Sequence, residues 1–164
     1  KESKYFENIV FSNANPYFST LSTAGTSAMT ENQANAASGA VDLSYYFNAS
    51  ITQHSFVAPL RRATIDASSP IYWANGEINT NFRSSSADAS VFAEAKANQN
   101  IIASVYANSS DAFFSGETNG IRVAGSDLAV GKVVAFRGLN NKLGLMLVKG
   151  ITNGSLTADI VIEK

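Results

Sequence analysis

The chain has 164 residues, a net charge of −1 at pH 7, 15% charged residues and no cysteine. An average domain carries about 25% charged residues; here 21 Ser and 16 Asn fill the gap, so hydroxyls and amides do the work of ions in keeping the surface wet. The only adjacent cations are Arg61-Arg62, which argues against a nucleic-acid surface. The lack of Cys excludes disulfides, thiolate metal sites and thiol nucleophiles, and no apolar run nears the ~18 residues of a membrane helix.

The first predicted strand covers residues 5–12 and is broken by Asn13-Ala14-Asn15-Pro16. A loose Ser/Thr/Gly stretch follows over 19–29. Thr30 and Gln33 stand at capping-box spacing, which predicts a short helix to 38 with Gly39 as its C′ stop. Strands are predicted over 40–47 and 54–58. Pro59 and Pro70 bracket a loop or a single helical turn. Residues 71–74 and 79–84 read as strands around an Asn75-Gly76 turn.

Residues 86–97 form the best helical candidate. Asp88 or Ser86 can cap it, and Val91, Phe92 and Ala95 make its apolar stripe. Residues 98–110 suit a short helix or a strand equally. The last third reads as a three-strand meander over 131–137, 143–149 and 156–163. In its final strand Leu156, Ala158, Ile160 and Ile162 alternate with polar positions, except at Val161. Leu139-Asn140-Asn141 and Asn153-Gly154 supply the turns, the latter with the composition of a type I′ hairpin. These elements predict one domain over 1–164. Its fold class is α+β, mainly antiparallel β, a two-layer sandwich-like arrangement with two or three short helices.

Catalytic signatures are sparse. His54 is the only histidine, and no Gly-x-Ser-x-Gly elbow accompanies it. The aspartates stand singly, with no Asp-x-Asp, so neither a zinc nor a calcium site is predicted, and no cofactor is expected. Gly144 and Gly150 lie in or beside strands, where they mark bends or close packing.

The informative feature is a series of adjacent aromatics: Tyr5-Phe6, Tyr17-Phe18, Tyr45-Tyr46-Phe47, Tyr72-Trp73 and Phe113-Phe114. Neighbours on a strand point to opposite faces. One ring of each pair therefore enters the core, and the other must be covered by a further layer or offered to a partner. Aromatic platforms beside Asn and Ser are suited to stacking the apolar face of a pyranose. Tyr45, Tyr46, Tyr72 and Trp73 are the candidate ligand-binding residues. Trp73 also suits a second role, as a buried core aromatic.

Two stretches resemble a known family: YFSTLSTAGTSAMTENQANAASGAVDLSYYF near the start and GKVVAFRGLNNKLGLMLVKGITNGSLTADIVIEK at the end. Both are similar to uncharacterised β-sandwich-like modules in exported lipoproteins of gut Bacteroidota. The resemblance covers both ends, about half of the chain. It implies a secreted or surface-anchored domain and carries no functional residue with it. The start at Lys1, without Met, is read as a trimmed mature region. The expectation is a non-catalytic binding module, extracellular or at the cell surface, with carbohydrate as the first ligand class and a surface protein as another partner. The alternatives are a structural or adhesive accessory domain without a small-molecule site, and a pocket for an apolar, lipid-like ligand. An enzyme is not expected.

Overall fold

The computed structural model describes residues 1–21 and 27–164, so part of the loose stretch expected over 19–29 lies outside the described residues. In chain order the elements are β1 (Lys4–Ser12), β2 (Tyr17–Phe18), α1 (Glu31–Asn35), β3 (Leu43–Asn48), β4 (Gln53–Val57), α2 (Pro59–Arg62), β5 (Asn81–Ser84), α3 (Ala89–Ala97), α4 (Asn100–Ala107), β6 (Ser110–Asp111), β7 (Arg122–Ala124), β8 (Val133–Arg137), β9 (Leu143–Thr152) and β10 (Ser155–Ile162). They build two antiparallel sheets. The larger has the order β1-β10-β9-β8-β5-β6 and the smaller β2-β3-β4-β7. This is the predicted sandwich-like α+β architecture, and it places the first strand against the last.

The core follows from side-chain alternation. Leu156, Ala158, Ile160 and Ile162 of β10 face the smaller sheet together with Val134 and Phe136 of β8. Phe18, Leu43, Tyr45, Phe47 and Phe56 meet them from that sheet. Val161 points the other way, into a second cluster with Val133, Ala135, Leu145 and Leu147 beneath Phe92 and Ala95 of α3 and Ile102 and Tyr106 of α4. The break in polar alternation at Val161 thus has a cause: this sheet is covered on both faces.

Local chemistry sets the element ends. Asp88, one of the two predicted caps, accepts from the Val91 N–H at 3.1 Å and starts α3. Residues 98–110 resolve as α4 followed by β6, since Ile102 and Tyr106, four apart, meet the sheet. The Thr30–Gln33 capping box is present, but α1 stops at Asn35 because only Ala34 is buried. Gly39 lies in a 3₁₀ turn and is not its C′ residue.

Two further expectations need correction. Residues 71–74 form no strand; they wrap the outside of the smaller sheet, held there by side-chain contacts described below. The Asn153-Gly154 turn is not type I′. Only Gly154 has positive φ, at 100°, the pattern of a type II turn. The paired left-handed residues occur instead at Asn140 and Asn141, φ 56° and 59°, in the preceding turn. Gly144 does mark close packing: a Cβ there would stand 2.3 Å from the Phe136 ring.

Candidate tyrosine-lined binding cleft

The site grows out of the aromatic pairs of the smaller sheet. Phe18 of β2 and Tyr45 and Phe47 of β3 enter the core between the sheets. Tyr17 belongs to a separate cluster with Ala34, Val41 and Trp73, on the opposite side of its strand from Phe18, as alternation requires. Tyr46 lies between two inward rings and stays half-buried.

The segment after β4 closes over this outer face. α2 begins with Pro59 at its first turn, where proline's fixed φ suits a helix start. Its last residue, Arg62, is only 3% exposed. Arg62 Nη1 donates to the Tyr45 carbonyl at 3.2 Å, and its Nε donates to the Ile71 carbonyl. One side chain therefore ties residues 71–73 to β3. The guanidinium stands 5.1 Å from the centre of the Tyr17 ring, a cation–π distance. Trp73 stacks on Tyr17 with ring centroids 4.2 Å apart, and its Nε1 donates to Asn35 Oδ1 at 2.8 Å. Gly76 lets this segment sit close: a Cβ there would fall 2.1 Å from the Pro59 carbonyl oxygen.

A cleft of about 480 Å³ remains between this segment and β3, within the roughly 300–1,000 Å³ of small-molecule sites. Tyr17, Tyr46, Tyr72, Arg62, Glu31 and Asn13 line it. The structure therefore brings Tyr46 and Tyr72 together, from segments distant in sequence. Tyr45 also borders the cleft, but its ring is in the core and its hydroxyl meets His54 Nδ1 at 2.6 Å; what it demonstrably directs at this region is its carbonyl, to Arg62. Trp73 is 2% exposed and forms part of the packing behind Tyr17, so of its two roles it takes the buried one. Sequence reasoning missed Arg62 as a site residue. The visible signal was an arginine just after Pro59 in a chain poor in cations.

Burial lowers the pKa of Arg62, opposed by the nearby Tyr17 and Glu31. Burial raises that of the Tyr17 hydroxyl, with Arg62 acting against it. His54, half-enclosed by the Phe47 ring at 4.7 Å, is held below its usual pKa by burial and hydrogen-bonds to a tyrosine rather than a serine. Among the described residues no group of three or more His, Asp or Glu gathers as metal ligands would.

The fold is similar to that of a DUF4466 family protein from Parabacteroides merdae, known from a crystal structure. The TM-score is 0.62 at 10% sequence identity over 99% of this chain. The chain spans about half, 54%, of that protein's length. No family model matches the sequence, and no curated protein does. At 10% identity the likeness concerns the fold alone and assigns no role to any residue. It agrees with the resemblance read from the two ends in a β-rich fold. No helix among the described residues is long and apolar enough to cross a membrane.

Proposed function

We propose that the chain is a non-catalytic binding module of an exported or surface-anchored bacterial protein, and that it takes carbohydrate in the tyrosine-lined cleft. The observation that carries this reading is the convergence of Tyr46 and Tyr72, both half-buried, on one concavity beside Arg62 and Asn13, with Tyr17 packed behind them. Ring faces suit the apolar side of a pyranose. Phenol hydroxyls, an amide and a guanidinium suit its hydroxyl rim. Arg62 ties residues 71–73 to β3 and Trp73 backs Tyr17, so the cleft is largely pre-formed, which lowers the ordering cost of binding. The aromatics between the sheets are already spent on packing: Phe11, for example, meets Phe56 edge-to-face at 4.9 Å.

The test is a glycan-array screen of the purified domain, followed by NMR titration with any glycan that binds. The expected result is saturable binding with chemical-shift changes centred on Tyr46, Tyr72 and their neighbours. Absence of binding across the array, or shift changes confined to another face, contradicts the proposal.

A further inference from the structure

We infer that the ligand bears a carboxylate, as an acidic sugar of the uronate type does, and that Arg62 is the group that receives it. This inference rests on the carbohydrate reading of the cleft and narrows it. A guanidinium has five N–H donors. Arg62 uses one on the Tyr45 carbonyl and one on the Ile71 carbonyl, which leaves three. Among the described residues no Asp or Glu forms an ion pair with it; those pairs involve Arg83, Arg122 and Lys149. The described polar side-chain atoms that are both sealed and unpartnered belong to Glu117 and Arg122. Nη2 of Arg62 makes no hydrogen bond among the described residues, and the side chain lines the cleft.

An arginine only 3% exposed is costly to bury without a counter-ion. Two carbonyls satisfy part of its donors and none of its charge. They also fix the plane of the guanidinium, so that it is pre-oriented for a planar two-oxygen acceptor. Glu31, the other charged residue lining the cleft, acts on Arg62 through space. It works against an incoming anion, and this gives the inference a second handle remote from the packing.

The probes are galacturonate oligosaccharides and the same oligosaccharides methyl-esterified, which differ in charge and not in ring structure. Calorimetry on the whole chain should show the acid binding at least about tenfold tighter than the ester, as charge-assisted bidentate pairing implies, with the difference shrinking as salt rises. Glu31→Gln should tighten the acid several-fold relative to the ester. Arg62→Lys should weaken the acid selectively; because Arg62 also ties the segment down, its melting curve is recorded alongside. Equal binding of acid and ester, with no effect of Glu31→Gln, overturns the carboxylate inference and leaves the carbohydrate reading standing. If neither probe binds and the glycan array is also blank, both fail together.

Discussion

Asp159 is nearly sealed beneath β1, at 3% exposure. Burial alone pushes its carboxyl up, but the Asn8 N–H at 2.8 Å, the Tyr5 hydroxyl at 3.0 Å and Lys149 Nζ at 3.3 Å outweigh it and hold the pKa below the usual range. The same contact explains Asn8, which sits at φ 53° where the β1–β10 register shifts; asparagine tolerates that region better than most residues. A depressed folded pKa stabilises the fold above the unfolded value, near 3.9. The contribution is lost as pH falls through the folded value. Asp159→Asn should therefore flatten the acid side of a stability profile measured by urea melts between about pH 5 and pH 2. Parallel curves for the two proteins would contradict this. Thr52 gives a prediction of opposite sign. It is exposed, β-branched and held at φ 49°, so Thr52→Asn should raise stability by about 0.5–1 kcal/mol in the same assay; a loss would show that the hydroxyl has an unrecognised role.

Elements differ in how clearly the sequence announces them. The β8–β10 meander was readable because its strands keep a period of two and its turns are local. Ile160, fully buried at its centre, should cost roughly 2–5 kcal/mol when cut to Ala; a loss below about 0.5 kcal/mol would overturn the register. Residues 71–74 have the same kind of composition but no strand partner. Their path is set by Arg62 reaching from α2 to the carbonyls of Ile71 and Tyr45, contacts that no periodicity encodes. Two outward rings of the strand pairs do find a second layer: Tyr5 lies against Phe92 of α3 with centroids 6.4 Å apart, and Tyr17 against Trp73, whereas Tyr46 stays at the cleft. Trp73→Ala should accordingly cost about 3–5 kcal/mol, and the native indole should resist acrylamide quenching. Free quenching in the native state would place Trp73 at the surface instead.

At the scale of the whole molecule, the larger sheet is covered on one face by the smaller sheet and over much of the other by α3 and α4, so most of its central side chains are committed to packing, while Val10 and Ile151 near its edge and end stay exposed. The outer face of the smaller sheet is closed only in part, by α1 and the irregular segment after α2, and the cleft is what that incomplete cover leaves. The sequence showed the aromatic pairs but not which outward ring stays uncovered, because that depends on where the covering segment stops. Tyr46 and Tyr72 stay half-buried at that boundary, while Tyr17 and Trp73 pass behind it. The most direct test of this account is a calorimetric titration of the Tyr46→Ala/Tyr72→Ala protein with the tightest glycan found on the array, paired with a urea melt. If these rings form the platform, binding should weaken by about 1–3 kcal/mol per ring, by analogy with stacked bases, while stability stays within about 1 kcal/mol of the parent. Parental affinity in a stably folded double variant would contradict it.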